Sequence, residues 1–274
     1  MQSYIKKRLA KLFVIILTFY VIGGVALWLF QDFILLHPKK LNAGYVFKFQ
    51  EPYKEEWIQL TDKERLHYVR FFISANQKKK GVVLYFHGNR NNITRYADYA
   101  SNFTKDGYEV WMPDYPGFGK TTGTFSEERI YKDADTLYNL LSKEIPTDQI
   151  VIYGRSLGTG VASELASLKP CSRLILETPY CSIPGLFTDV FPLYPAKRFI
   201  HFQFPVIEYL KKVQAPVTIF HGTIDEVIPF VHSRKLISVL KDGDEYITIE
   251  KGRHNNLNEF NLFHSKLDSV LKLN

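Results

Sequence analysis

The chain opens on one long apolar block and then changes rhythm. Residues 12–30, LFVIILTFYVIGGVALWLF, carry no charge. As a helix this block is about 28 Å long, close to the hydrocarbon thickness of a bilayer. Beyond it, apolar residues come in short runs separated by stretches of helical spacing. EWIQL and LHYVRFFI flank the turn-like TDKE and read as strands. VVLYFH, residues 82–87, is nearly continuous apolar and stops at glycine, and residues 94–107 read as a helix closed by Gly107. YEVWMPD follows as a strand. Residues 126–143 read as a helix with Ser126 as its N-cap and Arg129 where a capping box prefers an acid. QIVIYG, RLILE and PVTIFH are further buried strands between helical segments, EYITIE reads as a more edge-like strand, and a final helix is expected over residues 257–271.

Strands apolar on both faces and alternating with helices predict an α/β fold, a mostly parallel sheet covered by helices on both sides. The expected organisation is a short N-terminus and anchor over residues 1–31, a linker over 32–55, and one folded domain over 56–274. Residues 178–213, rich in Pro and Phe, are extra material between two strands and read as a small cap or long crossover. No internal repeat or low-complexity tract appears.

Charge orients the anchor. Lys6, Lys7, Arg8 and Lys11 precede the span, whereas Asp32 follows it and Lys39-Lys40 come later. This bias places the N-terminus in the cytoplasm and the folded domain on the other face of the membrane, as a single-pass protein. A cleaved signal peptide fits less well, because its apolar core is normally shorter and no small-x-small site follows Leu29. Lys and Arg number 35 against 28 Asp and Glu, but they neither gather on one helix nor interleave with aromatics. Nucleic acid is therefore not an expected partner, and Lys78-Lys79-Lys80 reads as a solvated loop. Cys171 and Cys181 flank RLILE, which holds them apart, so both read as free thiols. Nothing in the sequence asks for a metal or cofactor.

Two glycine-rich stretches remain. GFGKTTG, from Gly117, has the Gly119-Lys120-Thr121 end of a phosphate loop, but Asp114 stands where that loop needs its first glycine. IVIYGRSLGTG, residues 150–160, lacks dinucleotide spacing and instead carries G-x-S-x-G at Gly154, Ser156 and Gly158, after a strand and before a helix. A tight strand-to-helix turn exposes the serine hydroxyl, and small neighbours leave room for that turn. A serine nucleophile needs a base, and the base needs a partner that fixes its tautomer. Asp225 in HGTIDEVIP and His254 in KGRHNNLNE each follow a later strand, in the chain order Ser, Asp, His. Glu226 is the stand-in for Asp225. His37 falls in the linker, His67 in an early strand and His201 in the insert. His87 is expected to shape a loop, while His232 and His264 lie in helical segments where surface placement is the default. The oxyanion donors expected are the N–H groups of Leu157 and Asn89, with Arg90 as the alternative to Asn89.

With these residues in place, the chain from about residue 55 onward resembles an α/β-hydrolase, and within it the membrane-anchored Bem46/ABHD13-like serine hydrolases. The segments that carry the likeness are FHGNRNN, DYPGFGKTTG, YGRSLGTG, ETPY, HGTIDEVIPF and GRHNNL. The resemblance implies hydrolysis of esters or thioesters, with lipids, other small acyl molecules or acylated proteins as substrates. Amide hydrolysis by an aminopeptidase-like enzyme is the alternative within the fold, and a non-catalytic membrane-tethered binding protein is the alternative outside it. Lys120 stands where relatives often have serine, and Arg253 where they often have glycine, so a different rim is expected.

Overall fold

The computed structural model describes residues 2–272. Eight strands form one sheet: β1 (Tyr53–Gln59), β2 (Arg65–Phe71), β3 (Gly81–Phe86), β4 (Tyr108–Pro113), β5 (Ile150–Arg155), β6 (Arg173–Glu177), β7 (Val217–Gly222) and β8 (Glu245–Ile249). Their spatial order is β8-β7-β6-β5-β3-β4-β2-β1. The β1–β2 and β2–β4 pairings are antiparallel, and the remaining five are parallel.

The continuous apolar runs have a simple cause. Successive side chains of a strand point to opposite faces, and here both faces are covered. Val82, Leu84 and Phe86 of β3 enter one core with the helices α2 (Glu127–Leu141) and α3 (Gly158–Leu168). Val83 and Tyr85 enter a second core with Phe103 and the C-terminal helix, Phe263 and Leu267 among its contacts. EYITIE is indeed the edge strand β8. Ser126 caps α2 by accepting the Arg129 N–H, and the Arg129 side chain turns to Asp133 at 2.8 Å. The segment over 94–107 is helical but not continuous. α-Helical turns at Ile93–Tyr96 and Ser101–Thr104 are separated by a 3₁₀ turn at Ala97–Ala100.

The N-terminal helix α1 (Gln2–Leu35) is long and apolar enough to cross a membrane, and its apolar side chains are largely exposed. It runs past the expected anchor, and the stretch read as a linker is bound to the folded body. His37 and Lys39 donate backbone hydrogen bonds to the carbonyls of Asn89 and Asn91, at 2.9 Å each. Phe47 is buried and stacks between Phe49 and His67, because the apolar YVFKF of this stretch has a core to enter. The insert over 178–213 packs along α1. Tyr194 stacks on Tyr20 at 4.8 Å, and Gln31 accepts the His201 N–H at 2.7 Å. Gly23 and Gly24 let Tyr194 approach the helix, since a Cβ at Gly24 would lie 3.1 Å from its ring. Both cysteines are free thiols.

Candidate active site

β5 ends in a turn that holds Ser156 at φ 52°, in the left-handed region. That conformation costs a non-glycine residue about 1–2 kcal/mol, so the surroundings must impose it. They do so through backbone bonds: the Ser156 N–H donates to the Glu177 carbonyl on β6, and its carbonyl accepts the Thr159 N–H, both at 2.9 Å. The flanking glycines allow α3 to start directly against the sheet. A Cβ on Gly158 would lie 2.1 Å from the Phe86 carbonyl oxygen, and one on Gly154 would lie 2.7 Å from the Ala162 Cβ. The positive end of the α3 backbone thus begins two residues beyond Ser156.

The loops after β7 and β8 bring two further side chains to this turn. His254 Nε2 lies 3.0 Å from Ser156 Oγ, and His254 Nδ1 lies 2.8 Å from Asp225 Oδ2. Asp225 Oδ1 accepts the N–H groups of Val227 and Ile228, each at 2.8 Å. Burial pushes the Asp225 carboxyl up, but the His254 hydrogen bond and charge, with the Ile228 N–H, outweigh it and hold the group below its ordinary value. An ionised Asp225 keeps the proton on Nδ1, which leaves Nε2 free to accept the serine proton. Glu226 is not in that position; its Oε2 accepts the His254 backbone N–H at a long 3.4 Å.

Asn89 and Leu157 flank the turn from two sides. The Asn89 side chain donates to the Leu35 carbonyl at the end of α1, and its own carbonyl accepts the His37 N–H. Its backbone N–H and that of Leu157 have no partner among the described residues. A cavity of about 320 Å³ lies here, with Gly88, Asn89, Ser156 and His254 in its wall. Beside it is a cleft of about 270 Å³ between the end of α1 and the helix α4 (Ile183–Val190), lined by Ile34, Leu35, Leu186, Phe187, Val190 and Phe202 among others.

Other singled-out residues land elsewhere. His87 shapes its loop, with Nδ1 2.7 Å from the Gly88 carbonyl. His67 and His87 each approach the fully buried Asp114 to 3.5 Å, and Asp114 accepts the Ile93 N–H at 2.9 Å. Gly119 of GFGKTTG, at φ 47°, makes room for that carboxylate, since a Cβ there would fall on Asp114 Oδ2. Lys120 does not alter the rim as expected: it is buried, paired with Glu55 and seated over the Phe47 ring. His232 corrects the surface expectation. It is 1% exposed, with Nδ1 bonded to Asp189 of α4 at 2.5 Å and Nε2 accepting the Cys181 N–H at 3.1 Å. One supporting pair leaves no local signal in the sequence. Arg155 and Glu177 lie buried beneath Ser156, and Tyr153 donates to the same carboxylate.

A family model described as serine aminopeptidase, S33 matches residues 77–205. Alpha/beta hydrolase domain-containing protein 17C of Xenopus tropicalis is 30% identical over 190 residues, 68% of this chain and 60% of that protein. An uncharacterized protein of Mycobacterium tuberculosis is 30% identical over 176 residues, 64% of this chain and 63% of that protein. The chain thus spans less than two thirds of the length of these curated relatives. Among solved structures, an esterase of Pyrococcus furiosus superposes with a TM-score of 0.68 at 17% identity, covering 87% of this chain and 98% of that one. A monoglyceride lipase of Saccharomyces cerevisiae superposes at 0.62 and 18% identity, covering 84% and 98%. These likenesses establish a shared α/β-hydrolase fold.

Proposed function

We propose that the chain is a membrane-anchored serine hydrolase that cleaves a carboxylic ester or thioester through an acyl-enzyme intermediate. The observation that carries this reading is the unbroken line from Asp225 Oδ2 through His254 to Ser156 Oγ, at 2.8 and 3.0 Å. Ser156 Oγ attacks the acyl carbonyl as His254 Nε2 takes its proton, and Asp225 stabilises the imidazolium. The N–H groups of Leu157 and Asn89 receive the charge that develops on the carbonyl oxygen. The C–O or C–S bond then breaks, and the leaving group takes the proton from His254. Water, deprotonated by the same imidazole, cleaves the acyl-serine ester and frees Ser156.

The apolar cleft between α1 and α4 supports an acyl substrate over an aminoacyl amide, because an acyl chain is what such a lining holds. Its wall includes the end of α1, so the cleft opens where the chain would leave the bilayer. A lipid-like molecule or an acylated protein reaches such a cleft from the membrane surface. The basic residues before the span favour a cytoplasmic N-terminus and a hydrolase domain on the opposite side. A membrane-impermeant thiol reagent that reaches Asp242→Cys but not Ser3→Cys in intact cells tests that orientation. For the chemistry, a fluorophosphonate probe is expected to label wild type and not Ser156→Ala. Absence of labelling in the folded wild type would sink the reading, and faster turnover of aminoacyl amides than of acyl esters would move it to a peptidase.

A further inference from the structure

The nucleophile sits between two unlike basins. On one side lies the apolar cleft, which shares Ile34, Asn89 and Val227 with the cavity that holds Ser156. On the other lies an open basin of about 360 Å³ lined by His37, Lys39, Arg90, Asn91 and Arg95, and it shares His37, Arg90 and Arg95 with the same cavity. A molecule with its scissile carbonyl at Ser156 can therefore extend one arm along the apolar lining and the other towards the cations.

The two arginines are not structural pairs. Arg90 and Arg95 are exposed and have no acidic partner among the described residues. Arginines that organise the body are engaged, as Arg70 is with Glu144, Arg129 with Asp133 and Arg155 with Glu177. Glu226 is the one acidic side chain in the wall of the Ser156 cavity, and it lies with Val227 and His254 on the loops after β7 and β8. The Arg90 backbone is fixed by pairing with His37, so this cation is tied to the segment leaving α1, and Arg95 follows in the helical turn Ile93–Tyr96. Guanidinium groups match phosphate in geometry as well as charge. A basin at the exit of a membrane-spanning helix also lies at the height of lipid phosphates.

We propose that the substrate's leaving group carries a phosphate, held by Arg90 and Arg95, while its acyl chain occupies the cleft between α1 and α4. The inference rests on the hydrolase reading above and names the substrate class: an acyl ester or thioester of a phosphate-bearing alcohol or thiol. A lysophospholipid and an acyl-coenzyme A share that chemistry.

The experiment compares three substrates of one acyl chain on the full-length protein in nonionic detergent: 1-acyl-glycerol 3-phosphate, acyl-coenzyme A and the uncharged monoacylglycerol. At least one phosphate-bearing substrate is expected to exceed the neutral ester in kcat/KM by about tenfold or more. Which one does so identifies the source of the phosphate. In Arg90→Gln/Arg95→Gln that ratio is expected to collapse towards one through a raised KM for the phosphate-bearing substrate, whereas Lys143→Gln, remote from the basin, keeps the wild-type ratio. Melting temperature checks that the double variant folds. A wild-type ratio near one, or a ratio that survives loss of both arginines, overturns the phosphate subsite. Fluorophosphonate labelling of Ser156 in the same samples separates the two failures: labelling without phosphate preference removes only this inference, and no labelling removes the hydrolase reading as well.

Discussion

Arg155 and Glu177 meet beneath the Ser156 turn, Nε to Oε1 at 3.3 Å, with side chains 3% and 0% exposed. They are directly paired in the β5–β6 register, and the Glu177 carbonyl also accepts the Ser156 N–H. The Arg155 guanidinium lies 4.2 Å from the Tyr99 ring centre, so the charge is enclosed from both sides. This pair is the floor on which the strained serine rests.

Glu177→Gln keeps the shape and removes the charge, leaving Arg155 buried without a counter-ion. Breaking a buried pair in this way costs about 3–5 kcal/mol. Urea unfolding is expected to report a loss of that order, together with weaker fluorophosphonate labelling of Ser156. A loss below about 1 kcal/mol, the worth of an exposed pair, would mean that the charges do not hold the turn.

Gly158→Ala tests the steric reading of the same turn. The added methyl meets the Phe86 carbonyl, and backbone in a central strand cannot step aside as a flexible side chain can. Overpacking of this kind costs about 1–3 kcal/mol, and the start of α3 must move to relieve it. Labelling of Ser156 is expected to fall much further than the melting temperature does, because a shift of about 1 Å in a reacting group is enough to cost about a hundredfold. Labelling at the wild-type rate would show that the glycine is not needed there.

How much of this was legible depends on whether the cause is local. That Ser156 lies at a tight turn could be read from its neighbours, because such a turn needs small residues adjacent in sequence, and that Asp225 and His254 come to the same sheet edge could be read from their places after later strands. Arg155 and Glu177 could not. They lie 22 positions apart, and only the strand register makes them partners. The same limit hid the burial of His232, since its cover comes from Asp189 on the insert. The stretch over 32–55 is a further case. Its YVFKF has no long helical or strand pattern, yet Phe47 finds a pocket against His67 that no local pattern announces.

Acid should loosen the fold through two buried carboxyls. Burial raises Asp225 and Asp114, but His254 with the Ile228 N–H in one case, and His67 with His87 in the other, more than reverse it. Both groups are thus depressed in the folded state below an ordinary 3.8. Their contribution to stability is complete above that value and is lost as pH falls through the lower folded-state values. Unfolding free energy is expected to drop steeply below about pH 4. The slope in that window should be shallower in Asp225→Asn, and an unaltered slope would mean that Asp225 takes up its proton equally in both states.

The cleft between α1 and α4 makes a prediction about chain length. Leu186 is half-buried on α4 and faces the space walled on the other side by Ile34 and Leu35. Each methylene that an acyl chain buries there contributes about 0.8 kcal/mol, so a shortened cleft acts first on the longest substrates. Leu186→Trp fills part of the space without introducing a charge. Across a p-nitrophenyl ester series, the optimum is expected to move to shorter chains. The ratio of long-chain to short-chain kcat/KM should fall by about tenfold or more once two methylenes are displaced. Leu168→Trp, on the exposed end of α3 and outside the cleft, controls for a general effect of the larger side chain. If Leu186→Trp lowers all chain lengths in proportion, the acyl group lies elsewhere, and the end of α1 is no part of the binding wall.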